Sequence, residues 1–225
     1  MESISIWVFI LFLVATVASI VFFWLAANKR NIIVTLLAIW MVLQAVLSLS
    51  GFYQNTEAFP PRFIFLLTPG ILFIVALFFS KNGKTFIDGL NIKWLTILHI
   101  VRIPVEIVLF YVYMAGLIPI EMTFDGYNLD IFSGLSTPVI FYLTFKTKKT
   151  KRWLLASWNI LCLGLLLNVL TIAVLSAETP FQKIAMDQPN IGVTYFPFVW
   201  LPTVIVPIVL ISQLAGIRKA IKNKL

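Results

Sequence analysis

His99, Arg102 and Glu106 lie in the stretch HIVRIPVE, residues 99–106, within a run that is otherwise apolar. An imidazole titrates near neutrality, a carboxylate takes up or releases a proton, and a guanidinium holds anions. Together these types suit proton exchange or ligand contact. Each residue of an α-helix advances about 100°, so with His99 at zero Arg102 falls at about 300° and Glu106 at about 340°. Phe110 follows at about 20° and Tyr113 at about 320°, extending one polar and aromatic stripe. Arg102 and Glu106 are i, i+4 neighbours, able to meet on that surface. Isolated charge at the bilayer centre costs at least about 2.5–3.5 kcal/mol, so the stripe is expected to face protein. The competing reading is a structural ion pair that holds helices together, with His99 inert. Pro104 falls at about 140°, away from the stripe. It removes the helical donor of the Ile100 carbonyl and predicts a kink.

Further polar residues are placed to join that stripe. Asp130 stands at the start of a later apolar segment, where a helix N-cap is its ordinary role. Gln44, Asn159, Asn168 and Gln213 sit deep in other apolar segments, where such side chains usually hydrogen-bond between helices. The candidate ligand- or proton-binding set is His99, Arg102, Glu106, Tyr113, Asp130, Asn168 and Gln44, with no catalytic, metal or cofactor residues assigned.

The elements that carry these residues follow from composition. Sixty per cent of the 225 residues are hydrophobic and 12% are charged, about half the charged fraction of a soluble domain. Seven apolar segments recur, at 5–27, 32–53, 63–80, 92–118, 131–146, 153–177 and 196–217. Six are long enough to cross a hydrocarbon core of about 30 Å; the fifth would rise only about 24 Å. The expected fold is an all-α polytopic seven-helix transmembrane bundle, a single domain over residues 1–225. Prolines recur in these segments, at Pro69, Pro104, Pro138, Pro202 and Pro207. The fifth segment, with Gly134 and Pro138, is of the short, interrupted kind that frames transporter sites.

Net charge is +8, but its placement points to a membrane rather than to nucleic acid. Walking the segments alternately puts fourteen of the seventeen Lys and Arg on one side with Asp88: Lys29, Arg30, Lys81, Lys84, Lys93, Lys146, Lys148, Lys149, Lys151, Arg152, Arg218, Lys219, Lys222 and Lys224. The other side receives Glu2, Glu57, Glu121, Asp125, Asp130, Glu178 and Asp187 with Arg62 and Lys183. The positive-inside rule then predicts an outside N-terminus and a cytoplasmic C-terminus. The acidic MESIS start precedes the apolar run and basic residues follow it, the reverse of a signal peptide, so a retained first span is expected. The KTKKTKR run reads as a topology anchor beside anionic headgroups.

Several chemistries lack their parts. The last apolar segment carries no lysine for a retinal Schiff base. One histidine and one cysteine make a zinc site improbable. FSGLSTP offers Ser133 and Ser136 but not a glycine–any–serine–glycine protease pattern, and no Walker loop or dinucleotide fingerprint occurs. Cys162, the single cysteine, allows no intramolecular disulfide.

After the charged segment come Ile118–Pro119, Gly126, Asp130 and the Gly–x–x–Thr–Pro of residues 134–138. With Arg102 and Glu106, this pattern over about residues 99–139 resembles a group of uncharacterised bacterial multi-pass membrane proteins. The resemblance implies a membrane bundle in a bacterial inner membrane and no particular activity. The residues favour a small-molecule or proton-coupled carrier over an enzyme. A receptor-like or assembly subunit is the alternative, with the charged cluster structural and the partner a second membrane protein or another copy. The expected surroundings are the lipid bilayer, with a small-molecule or proton ligand and no nucleic acid.

Overall fold

In lipid the only way for an apolar run to satisfy its own backbone is to coil or to close a barrel. Runs rich in Leu, Ile and Phe, which lack the period-two alternation of a barrel strand, coil. A computed structural model describes residues 4–56, 58–146 and 151–222. Every apolar segment read from the sequence is helical in it: α1 (Ile6–Ala26), α2 (Asn31–Leu49), α3 (Ile64–Phe79), α5 (Ile92–Leu98) continuing into α6 (Arg102–Met114), α7 (Ile131–Phe145), α8 (Arg152–Leu175) and α9 (Val206–Ile221). Between α3 and α5 lies α4 (Lys81–Gly89), outside the seven apolar segments. Ser80 starts it, its hydroxyl accepting the Gly83 N–H at 3.0 Å, and the α3–α4 pair bends by 92°.

Five of these helical stretches are long and apolar enough to cross a membrane: α1, α2, Ile92–Met114, α8 and Leu201–Ile221; taking α3 with α4 makes six. Large apolar side chains cover the outside, among them Ile39, Val42, Leu72, Phe73 and Leu161. In α2 the buried residues are Gln44 and Ser48, both polar. Apolar surface outside and polar groups inside mark an integral membrane protein. The expected count of seven rests on α7, whose 15 residues rise only about 22 Å.

α8 lies along α9, α1 along α5 and α6, and α7 against α5, α6 and the turn between them. At one end of the bundle the α1–α2 turn meets the α4–α5 junction, the Asn91 N–H donating to Ala26 O at 2.7 Å. There the C-terminal end of α9 docks too: Arg218 pairs with Asp88 at 2.7 Å and Lys219 Nζ donates to Leu90 O at 2.5 Å. Lys29, Arg30, Lys93, Arg218 and Lys219 thereby share one end. At the other end Thr194 O accepts from Ser48 Oγ and Gln54 Nε2, both at 2.8 Å. Leu117 O there accepts the Gly192 N–H at 2.7 Å. Of the charges used to read sidedness, Glu2, Glu57, Lys148, Lys149 and Lys224 lie outside the described residues.

Candidate functional site

Pro104 has no N–H to give Ile100, and the chain answers one turn earlier. Residues His99–Val101 tighten into a 3-10 turn between α5 and α6. Arg102 therefore stands next to the break, in the middle of the stretch Ile92–Met114. His99, Arg102 and Glu106 are all buried, at 0%, 3% and 2% exposure. The inward stripe exists, but its members take separate partners.

The segment after α6 makes the site possible. Gly116, at φ +78°, lets the chain reverse where a β-carbon would be strained. Its N–H and that of Leu117 close on the carbonyls of Tyr113 and Val112 at 2.8 and 3.2 Å, a Schellman ending. The chain then runs back down beside α8. Met122 Sδ meets Ser176 Oγ at 3.8 Å, Tyr127 O accepts from Asn168 Nδ2 at 2.8 Å, and Ser136 Oγ accepts from Trp158 Nε1 at 2.8 Å. Eight residues of α8 separate Ser176 from Asn168, so Tyr127 lies about 12 Å inward of that end. α7 thus begins at mid-depth. Gly134 in its first turn sits so close that an added β-carbon would fall 2.7 Å from Ile103 Cγ1 and 3.3 Å from His99 O.

Asp130, at that start, does not cap α7 as expected. Its Oδ1 instead accepts from Arg102 Nη1 at 2.6 Å and from Ser133 Oγ at 3.1 Å. The charge partner of Arg102 is thus at the start of the neighbouring α7 and not one turn along its own helix. An unpaired guanidinium nearby outcompetes a cap as a partner for a buried carboxylate. Glu106 is held by Asn128, whose Nδ2 lies 2.9 and 2.8 Å from the two carboxylate oxygens and 2.9 Å from Met122 O. Asn128 Oδ1 in turn accepts the Asp130 N–H at 3.0 Å. One asparagine thereby ties Glu106 to the backbone that presents Asp130.

Arg102, Glu106 and Asp130 form the polar end of a cavity of about 60 Å³. Its walls are apolar and come from α3, α6, α8, α9 and a π-helical turn at Leu201–Ile205. Single π turns recur at functional sites. The Nε and Nη2 of Arg102 are buried and have no protein partner among the described residues. The cluster carries one guanidinium and two carboxyl groups, and Glu106 is bound by an amide rather than by a cation.

His99 faces elsewhere. Its Nε2 lies 3.3 Å from Ser212 Oγ, which donates to Leu95 O at 2.8 Å. Its ring meets the Trp158 ring edge-on at 5.1 Å. Gln44 does not line the cavity, its Oε1 accepting from Tyr53 Oη at 2.5 Å. Tyr113 sits near the C-terminal end of α6 with its ring 6.3 Å from that of Phe110. Asn168 holds the inward segment without lining the cavity. Among the described residues no three of His, Cys, Asp and Glu gather as metal ligands. Sequence reasoning missed Asn128 and Ser133 as binders of the two carboxylates, and the π turn. The only signal for Asn128 was its position two residues before Asp130, the spacing of an Asx turn. No protein-family model, curated protein or solved structure matches this chain.

Proposed function

We propose that this integral membrane protein is a proton-coupled carrier of a small molecule, with Glu106 as the proton site. It spans a bacterial inner membrane seven times, with the N-terminus outside and the C-terminus in the cytoplasm. The shared basic end of α1, α5 and α9 supports that orientation through the positive-inside rule. The observation that carries the transport reading is the charge inventory of the buried cluster: two carboxyl groups, one guanidinium, and a Glu106 whose hydrogen bonds among the described residues come from Asn128. An uncompensated buried carboxylate is costly and demands a proton or a ligand. The adjoining cavity supplies room for one.

The test uses proteoliposomes with a pH dye inside, challenged in turn with small carboxylates, amines and uncharged solutes. Wild type is expected to move protons with one class, and Glu106→Gln to lose that movement while still folding. Equal proton flux in both, or none in wild type with any class, sinks the reading.

A second reading also has an observation behind it. Asn128 ties together Glu106, Met122 and Asp130, and the Arg102–Asp130 pair fastens α7 to α6. That is what a structural lock in a receptor-like or assembly subunit would need. Co-purification of a stoichiometric membrane partner, with no ligand-dependent stabilisation, favours it.

A further inference from the structure

The cavity is chemically two-faced, and that narrows what enters it. Arg102 spends Nη1 on Asp130. The Nε–H and Nη2–H, which form the side-on fork of a guanidinium, are left without a protein partner on a residue 97% buried, at 3% exposure. A side-on fork fits a planar carboxylate with two parallel hydrogen bonds. A single cation matches a singly charged head better than a phosphate dianion. Beyond the fork the walls are hydrocarbon: Leu166, Val169, Ile205 and Val209 among others. A volume of about 60 Å³ holds roughly four to six water-sized groups at about 10–15 Å³ each, which suits a short tail.

We infer that the ligand is a short-chain monocarboxylate, its head on the Nε/Nη2 fork of Arg102 and its tail against α8, α9 and the π turn. This rests on the carrier reading and deepens it. The charged groups facing Glu106 are Arg102 on its own helix and Asp130 on the inward segment, while the walls from α3, α8 and α9 are apolar. Arg102 and Asp130 cancel, so a bound carboxylate leaves the cluster at −1 when Glu106 carries a proton and at −2 when it does not. Binding therefore requires the protonated Glu106, and at a pH where Glu106 is ionised without ligand, ligand and proton enter together.

The experiment titrates purified full-length protein in nanodiscs with the straight-chain series acetate to octanoate, with the matched amines and with inorganic phosphate. It reads binding by calorimetry and proton uptake in weak buffer. Expected are binding of carboxylates alone, tightest at an intermediate chain length, and uptake of about one proton per ligand. The paired substitution Arg102→Gln with Asp130→Asn keeps a neutral hydrogen-bonded pair and is expected to weaken binding by at least about tenfold. Val209→Phe, which fills the wall and leaves the ion pair, should shift the preferred chain length shorter. Amines or phosphate binding as well as carboxylates, or no dependence on chain length, overturns the ligand assignment. Carboxylate binding without proton uptake overturns the proton-coupled reading and leaves the ligand class standing, so the two failures are distinguishable.

Discussion

At the scale of single residues, the centre of this protein turns on how a buried guanidinium divides its five donors. Nη1 is committed to Asp130, and Ser133 shares the same oxygen. Removing one partner of such a pair strands the other charge, at a cost of about 3–5 kcal/mol. Arg102→Ala and Asp130→Ala are each expected to lower unfolding stability in detergent by about that much. The double variant should be less unstable than the sum, with a coupling of about 1–3 kcal/mol. Additive losses in a denaturant titration would mean that the pair contributes nothing as a pair. The inward orientation of His99, Arg102 and Glu106 was readable because helical periodicity is local. The partners of Arg102 and Glu106 were not, because Asp130 and Asn128 reach them through a backbone reversal that no spacing rule encodes. Asp130 was misread for the same reason: a cap is a local preference, and the guanidinium of a distant residue overrode it.

At the scale of elements, α7 depends on a close approach. An added β-carbon at Gly134 would meet Ile103 Cγ1 at 2.7 Å, the Ile103 N at 3.2 Å and His99 O at 3.3 Å. Backbone atoms in a packed helix cannot retreat as a side chain can. Gly134→Val is therefore expected to destabilise by about 1–3 kcal/mol. Ile103→Ala should recover part of the loss from Gly134→Ala, whose nearest obstacle is a movable side chain, and little of the loss from Gly134→Val. Equal recovery in both, read by thermal unfolding, would show that α7 simply slides away. The helices themselves were readable from apolar run lengths, and the tightened turn before Pro104 follows from its missing N–H. The sharp bend into α4 and the π turn at Leu201–Ile205 were not, since both are set by what packs against them.

At the scale of the whole molecule, the arrangement lays non-helical backbone beside α8, inward of that helix's C-terminal end. Such backbone survives at depth only when protein satisfies it, and here Asn128, Asn168 and Thr123 do so. Thr123 Oγ1 donates to Ile120 O at 2.8 Å. Tyr127 is 71% exposed on the outside of the bundle, although it lies level with Asn168. A cysteine at Tyr127 should therefore react with a lipid-soluble maleimide and resist a membrane-impermeant one. A cysteine at the exposed loop residue Asp187 should react with both. Cys162 is buried and gives little background. Equal labelling of both sites by the impermeant reagent would put residues 123–130 outside the bilayer.

The shortness of α7 also bears on how the protein is made. α7 rises about 22 Å and is preceded by Asp125, Asn128 and Asp130, so it is a poor candidate to enter a bilayer by itself. Asp130, buried at the start of α7, adds a charge that is costly to bring into hydrocarbon unless it is paired. The groups that offset this, Arg102 behind and Trp158 and Asn168 ahead, belong to segments synthesised before and after it. On the seven-span reading, α7 is expected to insert together with α8 rather than alone.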